Sequence, residues 1–170
     1  MNNGELLLID SWLIDHLIRV NFMSQILFFE DFKVGETWKT DLRKISESDV
    51  LSFAKLTGDN TYLHTDKVLA SKGPFGQRIS HGLLGLSVLI GLVTQIGIVE
   101  TSIEAFLGVN WSFKGPIFFD DTVYGKLKVL GSRKSKKGKG LVTFSIALLN
   151  VSDIVLQEGE ITFMIKLKKE

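Results

Sequence analysis

Two short stretches hold the residues best suited to acid–base chemistry. Gly58-Asp59-Asn60-Thr61-Tyr62-Leu63-His64 is a polar island between apolar segments. Seventeen residues beyond His64, His81-Gly82 heads the most apolar stretch of the chain. The protein has three histidines, and two of them stand at these places. A carboxylate and an imidazole on one rigid turn can share a proton-transfer task, which typically supplies ~10²–10⁴ in rate. Asp59 and His64 are five positions apart. On a helix that spacing sets them about 140° apart around the axis. On a strand it puts them on opposite faces. They can therefore cooperate only across an irregular turn. The alternative is that Asp59 satisfies loop amides and His64 is an ordinary loop residue.

Gly82 supplies a different kind of group. At the start of a helix, N–H groups lack intrahelical partners and the dipole favours negative charge. Without a side chain, the Gly82 backbone can approach a ligand closely. Such a donor can stabilise an oxyanion, and losing one costs about 3–4 kcal/mol. The competing reading is that Gly82 merely permits tight packing and His81 merely caps the helix.

The elements around these residues follow from the pattern. Ser46-Glu47-Ser48-Asp49 has the form of a capped helix start, and Val50, Phe53, Ala54 and Leu56 continue as a helical apolar stripe. Gly58 is the natural stop. Asn60-Thr61 are turn formers, and Asp66 caps a short helix running through Ala70, ended by Gly73-Pro74. A helix from about Gly82 to Ile96 follows, expected to be buried on all sides. Strands are expected over 37–42, 105–113, 122–130, 141–151 and 154–168, with a hairpin tip at 133–140 (RKSKKGKG). One long helix with several antiparallel strands is an α+β fold, a curved sheet wrapped around a central helix.

Composition narrows the function. The chain of 170 residues is 45% hydrophobic and 23% charged, with a net charge of +1. That is one globular domain with no global field for nucleic acid. Cysteine is absent, which removes disulfides and thiolate chemistry and fits a reducing, cytoplasmic setting. The histidines are too scattered to suggest a metal cluster, so no metal is expected. The apolar stretch 83–98 is shorter than the ~20 residues of a membrane span and carries Ser87, Thr94 and Gln95. Residues 1–22 are read as an appendage, either a short amphipathic helix or the product of an upstream start, with Met23 a second plausible N-terminus and 23–170 the domain.

The two polar stretches together resemble the MaoC-like dehydratases, which include (R)-specific enoyl-CoA hydratases of the hot-dog fold. That family carries Gly-Asp-x-Asn-Pro-x-His-x-Asp and then Phe-Gly-x-x-Ile-x-His-Gly. Here the stretches read Gly58-Asp59-Asn60-Thr61-Tyr62-Leu63-His64-Thr65-Asp66 and Phe75-Gly76-Gln77-Arg78-Ile79-Ser80-His81-Gly82. Residues 110–116 (NWSFKGP) are similar to the family's strand after the helix, and the likeness spans roughly 27–168. The family's Asn is replaced by Thr61, with Asn60 one position early, and its Pro by Tyr62.

The resemblance implies reversible syn hydration of a trans-2-enoyl thioester to an (R)-3-hydroxyacyl product, a reaction of fatty-acyl metabolism. Asp59 and His64 would be catalytic, the Gly82 N–H would hold the oxyanion, and Asn60, Thr61 and His81 would support them. No metal or redox cofactor is implied; coenzyme A or an acyl carrier protein belongs to the substrate. A homodimer or higher oligomer is also implied. Alternatives are a hot-dog thioesterase, a non-catalytic acyl-CoA-binding protein and an assembly subunit. Gly85 and Gly91 either make room for an acyl chain or let the sheet pack closely. The basic tip 133–140 either meets coenzyme A phosphates or is a solvated hairpin end.

Overall fold

A computed structural model describes residues 26–168 of the chain. The expected appendage, residues 1–22, lies outside the described residues. After a short 3₁₀ turn, Phe29–Asp31, the chain forms β1 (Thr37–Lys39), β2 (Arg43–Lys44), α1 (Glu47–Thr57), α2 (Tyr62–Thr65), α3 (Lys67–Ser71) and α4 (Gly82–Gln95). Four long strands follow: β3 (Ile103–Phe113), β4 (Thr122–Lys134), β5 (Gly140–Asn150) and β6 (Val155–Ile165). The sheet order is β1-β4-β5-β6-β3, with β2 also on β4, and every pairing is antiparallel.

The sheet bends around α4. Register shifts interrupt the ladder between Val129 and Gly131, between Leu148 and Leu149, and twice in β3. Each extra residue locally bends and twists its strand. Leu84, Leu89 and Val93 of α4 join a core with Val123, Leu127, Phe144, Ile146 and Ile161 from the concave face. Gly125 lets the helix come close, because a Cβ there would collide with Leu89.

The local signals act as expected at α1. Ser46 Oγ accepts from the Asp49 N–H, and the Asp49 carboxylate accepts from the Ser46 N–H. Gly58 ends the helix at φ 79°, a conformation that favours glycine. Asp66 accepts from the N–H groups of Val68 and Leu69 and so starts α3.

Three expectations need correction. The strand placed at 37–42 ends at Lys39, where the Thr40 hydroxyl accepts from Gly125 N–H at 2.7 Å, and a second short piece, Arg43–Lys44, lies beyond it. The hairpin tip is narrower than 133–140: Arg133 and Lys134 pair in β4 and Gly140 in β5, leaving 135–139 as the turn. That tip also lies far from His81-Gly82, at the β6 end marked by Ile165 rather than at Gln157. Eight residues of strand separate these ends, about 26 Å. Lastly, α4 is not buried all round. One sheet covers one side of a helix, and Leu83, Ser87 and Thr94 remain exposed.

Among the described residues, no helix is long and apolar enough to cross a membrane.

Candidate active site

The segment between α1 and α4 is folded by its own short-range bonds. Asp59 N–H donates to Thr57 Oγ1, and Asn60 N–H and side-chain amide both reach Gly58 O. Thr65 Oγ1 donates to Asn60 O at 3.0 Å, closing the loop from the other side. One helical turn, α2, then carries His64. The backbone between Asp59 and His64 thus combines a left-handed glycine, a loop and a single turn of helix, which is the irregular geometry that cooperation demands.

Thr61 holds the carboxylate. Its hydroxyl donates to Asp59 Oδ1 at 2.6 Å and its N–H to the same atom at 3.2 Å. These donors, the hydroxyl first, hold the Asp59 carboxyl below the usual carboxylate range, with smaller help from His81 and His64. Thr61 therefore does at this position what a polar residue is needed to do. Asn60 grips only backbone.

His64 is oriented by the opposite strap. Its Nδ1 lies 2.8 Å from Ile79 O. A carbonyl only accepts, so Nδ1 carries the proton and Nε2 keeps a basic lone pair. Ile79 is itself pinned, its N–H donating to Leu63 O at 2.9 Å, while Ser80 N–H donates to Ile117 O at 2.7 Å.

His81 does not cap α4; its side chain makes no capping bond. The ring is 2% exposed and lies between Phe53 and His64, stacked on His64 at 3.8 Å between centroids. Its Nε2–H donates to Asp59 O at 2.9 Å, and Nδ1 has no partner among the described residues. Histidines scattered in sequence are thus gathered by the fold. One ligand-type atom from each of Asp59, His64 and His81 lies within 4.8 Å of the others. Two hydrogen bonds of about 2.8 Å can span a gap of that size. Two of the four imidazole nitrogens are engaged with backbone carbonyls.

Gly82 is the first residue of α4, so its N–H has no acceptor within the helix. Phe113 packs on its α-carbon, and a Cβ would stand 2.8 Å from the ring. A cavity of about 490 Å³ brings the two halves together, walled by His64, Ile79, Gly82, Leu83, Phe113 and Gln157. Its lining is mainly apolar, with an imidazole and a helix start at one end. A hollow of about 580 Å³ at the far end, beside Glu104 and Lys139, contains no histidine, and those two side chains pair with each other.

The family pattern described as "MaoC like domain" matches residues 31–151. The chain belongs to the MaoC-like family. It is 32% identical over 140 residues to an (R)-specific enoyl-CoA hydratase of Rhodospirillum rubrum, covering 81% of this chain and 91% of that one. It is 29% identical over 150 residues to a 3-hydroxybutyryl-CoA dehydratase of Methylorubrum extorquens, covering 86% and 88%. A Mycobacterium tuberculosis protein with a double hot-dog fold superposes with a TM-score of 0.73 at 19% identity, over 85% of this chain and 46% of that one. This last likeness concerns the fold alone, and it agrees with the curved sheet around α4.

Sequence reasoning missed two residues of this MaoC-like site. Phe113 covers Gly82, and Gln157 donates from Nε2 to Gly82 O at 3.0 Å. The signal for Gln157 was present: Gln157, Gly159, Ile161, Phe163 and Ile165 alternate on the inward face of β6, and a glutamine among them is out of character. Gly85 proves to be a packing glycine. A Cβ there would run into the Gln157 amide and stand 2.5 Å from Ile117 Cδ1.

Proposed function

We propose that this MaoC-like protein is an (R)-specific enoyl-thioester hydratase, adding water reversibly to a trans-2-enoyl thioester. The observation that carries this reading is that His64 and the start of α4 open onto one apolar cavity, with Asp59 gathered against His64 and His81 beside it. The acyl chain lies in that cavity with its thioester oxygen on the Gly82 N–H. A water sits between Asp59 and His64 Nε2. One of them takes its proton as the oxygen bonds C3. The C2–C3 π electrons move to C2 and the thioester oxygen, where the helix start stabilises the charge. The proton then returns to C2 from the same side, so hydrogen and hydroxyl add to one face. The reverse sequence is dehydration, which fits relatives named for both directions.

The thioester itself acidifies C2, so the reading needs no metal or redox cofactor. Coenzyme A or an acyl carrier protein is the carrier. A homodimer completes it. β3 is an edge strand carrying exposed Phe106, Leu107, Val109 and Phe113, beside the uncovered Leu83 of α4. An exposed apolar edge of this kind is a template for pairing. In this reading the protein sits in the cytoplasm, a reducing compartment with which a chain without cysteine is compatible.

The test is the absorbance of the enoyl-thioester band with crotonyl-, hexenoyl- and longer enoyl-CoA substrates, run beside a thiol reagent. Loss of the band without thiol release is the expected result. Thiol release marks a thioesterase, and binding without turnover marks a carrier or assembly protein; either overturns the proposal.

A further inference from the structure

We infer that Gln157 is a positioning residue for the oxyanion donor, setting the angle of the first turn of α4 from strand β6. The inference rests on the hydratase reading above. Gln157 is 1% exposed, and both ends of its amide are engaged. Nε2 donates to Gly82 O at 3.0 Å, and Oε1 accepts from Trp111 Nε1–H at 3.1 Å. An indole N–H only donates and a backbone carbonyl only accepts, so chemistry fixes which end of the amide faces which. A buried amide is costly unless bonded, so this arrangement resists rotation.

Gly82 needs an external hold. A side chain at Gly82 would have to push the Phe113 ring aside, and glycine has more backbone freedom than any other residue. On one side, the His81 ring is tied to Asp59 O. On the other, Gln157 takes the Gly82 carbonyl. The bonds run without a break from Asp59 through His81, Gly82 and Gln157 to Trp111 on β3. General acid–base group and oxyanion donor therefore share one frame. One helical turn on, Gly85 leaves the space that the Gln157 amide occupies. A donor displaced by about 1 Å can cost roughly 10² in rate.

Gln157→Met tests this, because it keeps side-chain length and removes both polar ends. Three quantities decide: kcat and KM for crotonyl-CoA, thermal stability, and the red shift of a bound dienoyl-CoA, whose absorbance moves as its carbonyl is polarised. The expected result is a kcat lower by about 10- to 100-fold, little change in KM and a smaller red shift. A merely structural role would lower the melting temperature while leaving kcat and the red shift of the folded protein unchanged. If Gln157→Met does not fold, Trp111→Phe carries the test. It removes the donor that orients the amide and trims the indole to a phenyl ring, and a loss of about 3- to 10-fold with the same spectral change is expected. Wild-type kcat and wild-type red shift in the folded variant overturn the inference while the hydratase reading stands. A wild-type protein that neither hydrates crotonyl-CoA nor shifts the dienoyl band overturns both.

Discussion

The two halves of the candidate site are built by opposite means. The Asp59 loop is exposed and held mostly by neighbours in sequence: Thr57, Thr61 and Thr65 supply its bonds, and His81 adds one to the Asp59 carbonyl. The start of α4 is held by residues far away in the chain, Phe113 and Gln157 among them. The first half can tune a carboxylate by local hydrogen bonding and can be altered without disturbing the core. The second places a backbone donor through packing, so changes there affect chemistry and stability together.

The largest effect is expected where the contrast is sharpest. Asp59→Asn and His64→Gln should each lower crotonyl-CoA hydration by ~10²–10⁴, as loss of a general acid–base group does. Asp59 is exposed, so the melting temperature of Asp59→Asn should stay within about 2 °C of wild type, in line with surface substitutions, while His64→Gln, which loses the Ile79 bond and the stack on His81, should melt somewhat lower. Steady-state kinetics beside a thermal melt checks both halves of that statement.

Thr61→Val should produce a smaller and more specific effect. The Thr61 hydroxyl and N–H stabilise the charged form of Asp59 and lower its pKa. Valine removes the hydroxyl, the leading donor, so protonation becomes easier and the pKa rises. The active form has the carboxylate ionised, so the acidic limb of the pH–rate profile should move to higher pH. A limb that stays in place would mean that Thr61 does not tune this group.

These comparisons also show what was legible in the sequence. The acid loop was, because its holding residues lie within a few positions of Asp59 and announce themselves as cap and turn formers. The α+β fold was too, from one apolar helix followed by alternating strands, and both halves of the site fell on matched motifs. What escaped was long-range. Gln157 stands 75 positions from Gly82, and only the curvature of the sheet brings them together. The stacking of His64 on His81 escaped for the same reason. The exposed face of α4 escaped because an apolar sequence does not reveal whether the cover comes from its own sheet or from elsewhere.

The smallest effect is expected at the basic hairpin tip. Lys136 and Lys137 lie on the turn at the end of the sheet away from Gly82. Lys136→Ala with Lys137→Ala should leave KM for crotonyl-CoA within about twofold, because exposed charges beyond a Debye length of about 8 Å are largely screened. A large rise in KM would bring the tip to the coenzyme A phosphates, from the same chain or a neighbouring copy, and would weaken the separation of the two ends.

The central claim is that one water, held between Asp59 and His64 on one face of the substrate, supplies both the hydrogen and the hydroxyl added. Hydration of crotonyl-CoA in deuterium oxide, with the product's configuration read by NMR and chiral analysis, tests it most directly. The account predicts an (R)-3-hydroxybutyryl product with deuterium and hydroxyl on the same face. Addition to opposite faces, the (S) product, or unchanged crotonyl-CoA would contradict it.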